Sequence, residues 1–532
     1  MDAVPFFSLF QLTRRTMTTI GEFVDLSARA TGLPTGTVAV LGAGAMGQGI
    51  AQLALAAGHR VLWHNRTADR LDRSGDVVRG RLERLVHKGK LTEAVYQDAV
   101  TALELTTDLG ALADADLVIE SIAEDFDLKS EVFAELERVL RADAVLATNT
   151  SSLSVNALSA RLTHPGRFLG LHFFNPAPLL PLVEVVPGAR TARETTDAAF
   201  ALMRAWGRRP VVSRPTPGFI VNRVARPFYT EGLRIVDEIG ADPRVVDAAI
   251  TGSGGFRMGP LELTDLIGQD VNIEVTRQIW SAMGFDPRYS PSAAQQALVD
   301  SGLLGRKTGQ GFYSYPDDKP EVGTAVETTP GQVTAYGDLG PAEPVVGLLE
   351  AAGWTVTRAE GPGHLALPSG VVLALTDGRT AAVQERELDA PVVLFDLALD
   401  FARVAHTVVA AGPRARAAGL DEALSLVAAF SSRVSVFADS PGLVVARTVS
   451  MLVNQAVEVV AEGVCAAADV EVAVRTGVNY PRGLLEWGDS VGPDWLCRVL
   501  DNIAAVIHPT RYRVTPSLRL ASAAGSALSE TV

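Results

Sequence analysis

The sequence predicts an α/β fold at the start of the chain and helical domains after it, part of the whole being repeated. Three observations carry this. Short β-rich runs alternate with helical stretches up to about residue 214. From Phe219 onward the pattern turns helical. Then Ser440-Pro441-Gly442-Leu443-Val444-Val445-Ala446-Arg447 echoes Thr216-Pro217-Gly218-Phe219-Ile220-Val221-Asn222-Arg223. With 532 residues the chain is also too long for one core.

The elements follow in order. Residues 1–36 carry an apolar patch, Val4 to Phe10, with Arg14-Arg15 after it rather than before it. That is the wrong order for a secretory signal, so the segment reads as a peripheral extension, with Met17 as an internal start. Thr37-Val38-Ala39-Val40-Leu41 is a strand. Gly42-Ala43-Gly44-Ala45-Met46-Gly47 follows it at once, and Ile50 to Ala57 reads as a helix. This is G-x-G-x-x-G between strand and helix, the setting in which it binds a dinucleotide. Gly42 permits the turn, Gly44 lets a pyrophosphate reach the backbone, and Gly47 lets helix and strand pack closely. A Rossmann-type domain over 37–214 is the expectation.

The next strand, Arg60 to His64, ends at Asn65 and Arg66. An acid there would bind the ribose 2′-hydroxyl. Asn65 does not repel a 2′-phosphate and Arg66 can pair with one, so NADP is favoured over NAD. The alternative is an Arg66 that stacks on adenine in an NAD enzyme. Leu71 to Lys90 is amphipathic and basic, with Arg79, Arg81, Arg84, Lys88 and Lys90. It is either a solvated helix face or a landing site for a phosphorylated substrate arm such as coenzyme A. Leu117–Glu120 and Val145–Thr148 are further strands, the second ending in Asn149-Thr150-Ser151-Ser152. Ser151 can donate to a substrate oxygen at that strand end, and Ser152 can cap the next helix.

Arg167 to Val186 is strand, turn, strand. The first strand delivers His172, and Asn175-Pro176 with Pro178 forces the turn. The second carries Glu184 among aliphatics, where a carboxylate is costly without a partner. Paired, His172 and Glu184 make a general base of fixed tautomer. The alternative is a satisfied core histidine and an edge-strand glutamate. After Pro217-Gly218, Phe219 to Ile239 reads as one long helix kinked at Pro227. Asn222 on its first turns serves helix packing or donates to the reacting oxygen. Gly305 to Tyr315 holds Lys307 on a glycine-flanked loop.

Composition limits the partners. A net charge of −14 argues against nucleic acid or an anionic membrane. The apolar fraction is 47%, yet no run is long enough for a membrane helix. Two cysteines and no Cys/His cluster point to a reducing, cytoplasmic setting without a metal.

The motifs GAGAMG, NTSSLS, GLHFFNPAP, LVEV, TPGFIVNR, GPLELTDLIG and GRKTGQGFY stand in order over residues 37–315. Together they resemble the (S)-3-hydroxyacyl-CoA dehydrogenases. The longer architecture, ending in RYRVTPSLR, is most similar to the bacterial 3-hydroxybutyryl/3-hydroxyadipyl-CoA members active in phenylacetate degradation. The resemblance implies hydride transfer between C3 of a 3-hydroxyacyl-CoA and a nicotinamide. It implies His172 as base, Glu184 as its orienting acid, and Ser151 and Asn222 around the 3-oxygen. It further implies Glu124, Lys129, Asn175 and Lys307 as cofactor-side contacts and Lys88 as a contact to coenzyme A. The family usually has Asp where this chain has Asn65, which keeps the NAD(P) question open.

Past residue 315 the reading is a linker over 316–345 and a small α/β unit over 346–438 without a cofactor site. A degenerate helical copy over 439–532 matches the first copy at 215–315. In it Ala446 replaces Asn222, while Glu486, Asp489, Gly492 and Asp494 echo Glu262, Asp265, Gly268 and Asp270. The second copy is expected to be structural. Either it packs on the first and imitates the family's dimer interface within one chain, or the chain forms an ordinary homodimer. Two other functions fit less well. One is dehydrogenation of a non-CoA 3-hydroxy acid such as a sugar acid, and the other is a non-catalytic nucleotide-binding structural protein.

Overall fold

The computed structural model describes residues 36–316 and 321–531. The extension over 1–35 and its Met17 lie outside the described residues, as does 317–320 of the expected linker.

Eight strands form the first sheet: β1 (Thr37–Leu41), β2 (Arg60–His64), β3 (Leu103–Thr106), β4 (Leu117–Glu120), β5 (Val145–Thr148), β6 (Phe168–Phe173), β7 (Leu182–Pro187) and β8 (Arg209–Val212). Their order is β3-β2-β1-β4-β5-β6-β7-β8. All neighbours are parallel except β6 and β7. The strands read as continuous apolar runs because both faces are covered, each by its own buried cluster. The order reverses between β1 and β4, and there the carboxyl ends of the strands open a crevice.

The helical half begins with a correction. The expected single helix from Phe219 is two, Val221–Val224 and Arg226–Ile239, with the break at Ala225. Pro227 has no N–H to donate and its ring crowds the carbonyl one turn back, so the helix restarts with Pro227 in its first turn. Gly218 and Phe219 before the break both have positive φ, +74° and +48°.

A second sheet follows, with β9 (Gln332–Tyr336), β10 (Thr355–Ala359), β11 (His364–Ala366), β12 (Val372–Leu375), β13 (Val392–Phe395), β14 (Thr407–Ala411) and β15 (Val434–Phe437) in the order β10-β9-β11-β12-β13-β14-β15. Strand β9 falls where a linker was expected over 316–345, and the helix Pro344–Ala351 starts at its end. The segment's Pro, Gly and Thr content hid a five-residue strand whose partners β10 and β11 lie further along the chain. Val372, Ala374, Val392, Leu394, Val408 and Ala410 face the helices, while Leu373, Val393 and Val409 face the opposite cluster.

Strands β12 to β15 repeat the pairing of β5 to β8: parallel, antiparallel, parallel. The register repeats too. Leu171 lies opposite Val185 and Val185 opposite Val212; Phe395 lies opposite Val409 and Val409 opposite Val436, all at one constant offset.

The second helical copy packs on the first. Its central helix, Val445–Ala461, is buried on every side from Val445 to Val460, which explains its Val/Ala-rich composition. It lies along Arg226–Ile239, and the contacts are reciprocal. Arg223 pairs with Glu462 at 2.7 Å, and Arg447 pairs with Glu238 at 2.8 Å. The Tyr289 hydroxyl donates to Gln455 at 2.8 Å, and the Tyr512 hydroxyl donates to Glu231 at 2.7 Å.

Candidate active site

The glycine turn lies at the carboxyl end of β1. Gly42 has φ +101°, and a Cβ there would come within 2.2 Å of the Ser121 carbonyl. One on Gly47 would lie 2.0 Å from the Gly42 carbonyl. Gly44 differs, since a Cβ there would have only the Arg70 guanidinium within 4.0 Å. The helix Ala45–Ala56 that follows has no side-chain cap and no acid in its first turn. Open space over Gly44 against unpaired helix N–H groups is what a pyrophosphate requires, so these residues fit a dinucleotide. Met46 is half-buried on this turn.

At the end of β2 the Asn65 amide donates to the Thr67 carbonyl at 3.1 Å. Arg66 is exposed and makes no ion pair among the described residues. Arg70, which carried no signal of its own in the sequence, lies on the next turn near Gly44.

The ends of β5, β6 and β7 assemble the polar centre. His172 and Glu184 face each other across β6 and β7. The His172 Nδ1 is 2.6 Å from Glu184 Oε2, with both side chains buried. A carboxylate only accepts, so Nδ1 carries the proton and Nε2 presents its lone pair. Nε2 lies 3.2 Å from Ser151 Oγ. Glu184 Oε1 accepts from the backbone N–H of Ile220 at 3.0 Å and of Val221 at 2.9 Å. The positive φ at Gly218 and Phe219 turns those N–H groups toward it. Asn222, on the same turn, donates to the Ser151 carbonyl at 3.4 Å and is half-buried.

Ser151 is itself held. Glu124 Oε1 accepts from the N–H of Ser151 at 2.9 Å, the N–H of Ser152 at 3.1 Å, and the hydroxyls of Thr150 (2.5 Å) and Ser152 (2.9 Å). Burial would raise its pKa, but Lys129 at 3.0 Å and these hydroxyls outweigh that and hold it down to about 2. Lys129 is 1% exposed and also pairs with Glu120 at 2.8 Å. Glu120 accepts from Thr148 Oγ1 at 2.7 Å and from the Ile122 N–H at 2.7 Å. Glu120 went unread in the sequence, although a carboxylate closing an apolar strand is the signal that singled out Glu184. Ser152 does not cap the next helix. Ser154 does, accepting from the Ala157 N–H at 3.2 Å, because Ser152 is turned to Glu124.

Other predicted residues lie apart from this centre. Asn175 is exposed on the turn between β6 and β7. Arg81 and Lys88 belong to the helix Ala68–His87 and its C-cap, Arg81 half-buried and Lys88 exposed at the end. Lys307 Nζ is engaged by Asp270 at 2.5 Å within the helical half.

Comparison with known proteins identifies three family domains, one of them twice. Residues 37–216 match the 3-hydroxyacyl-CoA dehydrogenase NAD-binding domain. Residues 218–315 and again 442–531 match the C-terminal domain of that family. Residues 373–441 match a 3-hydroxybutyryl-CoA dehydrogenase reduced Rossmann-fold domain. The chain is 40% identical to the 3-hydroxyadipyl-CoA dehydrogenase of Escherichia coli (strain K12), over 91% of this chain and 96% of that one. It is 38% identical to a probable 3-hydroxybutyryl-CoA dehydrogenase of Deinococcus radiodurans, over 52% of this chain and 99% of that one. A crystal structure of 3-hydroxybutyryl-CoA dehydrogenase from Escherichia coli K12 superposes with a TM-score of 0.84 at 38% identity, covering 92% of this chain and 99% of the other.

Proposed function

The chain belongs to the 3-hydroxyacyl-CoA dehydrogenase family and is an oxidoreductase of acyl-CoA substrates, and we propose that it works through a His172–Glu184 base. The observation that carries the proposal is the 2.6 Å contact of Nδ1 with Glu184, which turns Nε2 toward Ser151 Oγ at 3.2 Å. Nε2 takes the proton of the C3 hydroxyl. The imidazolium that results rests against a buried carboxylate, which lowers the cost of that charge. Ser151 Oγ and Asn222 Nδ2 donate to the C3 oxygen and fix its orientation. The bound nicotinamide supplies the hydride acceptor.

Gly42, Gly44, Met46 and Gly47 hold the pyrophosphate, and Glu124 and Lys129 stiffen the wall beside it. Asn175 and Lys307 are further cofactor-side contacts, Lys307 after leaving Asp270. Arg81 and Lys88 meet the coenzyme A phosphates. NADP is favoured over NAD: Asn65 carries no charge to repel a 2′-phosphate, and the uncommitted Arg66 has Arg70 four residues on, in the first turn of the helix Ala68–His87. Cys465 and Cys497 are free buried thiols, which supports a cytoplasmic location, and among the described residues no helix is long and apolar enough to cross a membrane.

The two helical copies act as an internal pseudo-dimer, a reading supported by the reciprocal Arg223–Glu462 and Arg447–Glu238 pairs. Light scattering should give a monomer of 56.2 kDa; twice that mass would sink this part. The reaction itself is tested by a kinetic grid of NAD and NADP against acetoacetyl-CoA and 3-oxoadipyl-CoA. Turnover with NADP ahead of NAD is expected. A decisive preference for NAD would overturn the reading of Asn65-Arg66, and no turnover at all would overturn the reaction.

A further inference from the structure

The resemblance implies a cofactor contact at Lys129, yet its ammonium has no donor left to offer one. It carries three N–H groups. Glu120 Oε1 accepts at 2.8 Å and Glu120 Oε2 at 3.0 Å, and Glu124 Oε2 lies at 3.0 Å. Exposure separates the three side chains. Lys129 is 1% exposed and Glu120 is wholly buried, whereas Glu124 keeps 33% of its side chain open. Glu124 can therefore meet a ligand in the crevice, while Glu120 and Lys129 are closed off from it. Two charges buried away from any ligand are costly unless their bonding is complete, and a complete set that touches no ligand calls for another use.

The bonds of Glu120 show where that use lies. Besides Lys129 it accepts from the Ile122 N–H and from Thr148 Oγ1, each at 2.7 Å. Thr148 stands opposite it across β4 and β5. Thr148 Oγ1 in turn accepts from the Thr150 N–H at 3.3 Å. Thr150 Oγ1 donates to Glu124 Oε1 at 2.5 Å, and Glu124 Oε2 returns to Lys129. Glu120, Lys129, Glu124, Thr150 and Thr148 thus close a ring, and a closed ring restrains its members more than a chain of separate contacts. The ring closes on one turn. Glu124 Oε1 takes the N–H groups of Ser151 and Ser152, and Thr150 Oγ1 takes that of Leu153 at 2.9 Å. At the start of the same turn the Asn149 N–H donates to the Glu120 carbonyl at 2.9 Å, and Asn149 Oδ1 accepts from the Phe173 N–H, next to His172, at 2.8 Å.

We propose that Glu120 is a positioning residue for the reaction. With Lys129 as its counter-ion it fixes the turn from Asn149 to Leu153, and so keeps Ser151 Oγ beside His172 Nε2 and in place for the C3 oxygen. Lys129 serves this ring rather than the cofactor. The proposal rests on the reading that Ser151 and His172 hold the C3 oxygen. An amide at position 120 cannot replace the acid. Both oxygens of Glu120 accept, and glutamine would turn an NH2 group toward a donor on one side.

The test is a double-mutant cycle on the full chain, read as kcat with acetoacetyl-CoA and as KM for the reduced dinucleotide. Glu120→Gln should lower kcat by about 10-fold and leave that KM unchanged. In a Ser151→Ala background the same substitution should cost little more, because the group it positions is gone. Equal fold losses in the two backgrounds overturn the proposal, since a role in stability alone does not depend on Ser151. A raised KM with kcat kept also overturns it, because the cluster would then serve the cofactor. Should Glu120→Gln fail to fold, Thr148→Val opens the ring at its other side. It should lower kcat by about 3-fold while Ser151 is present and have no effect without it; equal losses again refute the ring. Ser151→Ala by itself tells the two readings apart. Wild-type turnover in that variant brings down the role of Ser151 and the proposal with it. A slow Ser151→Ala enzyme with an additive Glu120→Gln brings down the proposal alone.

Discussion

The two α/β units share the strand pairing of their last four strands and present different chemistry on it. In the first, β6 carries His172 and β7 carries Glu184, and Glu184 caps the N–H groups of Ile220 and Val221. In the second, the residue after Phe395 is Asp396, in the register place of His172, and Val408 stands in the place of Glu184. Asp396 itself caps the turn, accepting from Val444 at 3.0 Å, Val445 at 2.7 Å and Ala446 at 2.9 Å. Leu443 before it has φ +51°, as Phe219 has +48°. Both units thus need a carboxylate to satisfy one strained helix entry. That need is structural, and the first unit meets it with an acid set one strand further back, which leaves room for an imidazole in front.

The comparison can be broken most directly at the paired positions. His172→Gln should lower kcat with acetoacetyl-CoA by about 10²–10⁴, whereas Asp396→Asn should leave kcat near that of the wild type. Comparable losses in both would mean that the second unit also serves the chemistry.

The interface comes next. Arg223→Ala and Arg447→Ala each take one partner from a buried acid, Glu458 and Glu231, that keeps another in Arg288 and Arg234, and should each cost about 1–3 kcal/mol of stability, read as the shift in urea midpoint. A large loss from one and none from the other would show the reciprocity to be only geometric.

Asp396 gives the comparison a pH signature. Burial pushes its carboxyl up to about 6 despite the N–H groups it accepts from. An Asp in the unfolded chain titrates near 3.9, so between these values the folded chain holds a proton that the unfolded chain has released. Its stabilising contribution is complete below about pH 4 and is lost as pH rises through 6, on the order of 3 kcal/mol. Thermal midpoints of the wild type should fall relative to Asp396→Asn across that window. Parallel curves would contradict the assignment.

The smallest effect belongs to the first unit alone. Asn65→Asp should move the kcat/KM ratio toward NAD by about 10-fold. No movement would place the 2′-group away from Asn65.

The sequence by itself determined whatever depends on neighbours along the chain. The glycine turn between strand and helix, the ends of β2, β4 and β5, and the acid among aliphatics at Glu184 were all legible, because period and turn chemistry are local. The repeat was legible too, because it keeps one offset. Only the tertiary structure decided the rest. It enlisted β9 from a segment that reads as a linker, split the helix at Ala225, gave Ser151 its support from Glu124 and Lys129, and set Asp396 in the place of His172. Nothing local marks Arg226, since an arginine before a proline in a helix reads as a solvated residue. Its burial without a carboxylate partner among the described residues becomes visible only when Thr276 and Tyr480 arrive from further along the chain. Strand partners, ion pairs and the desolvation of a charge are set by residues tens or hundreds of positions apart, and one-dimensional patterns hold no record of which of them meet.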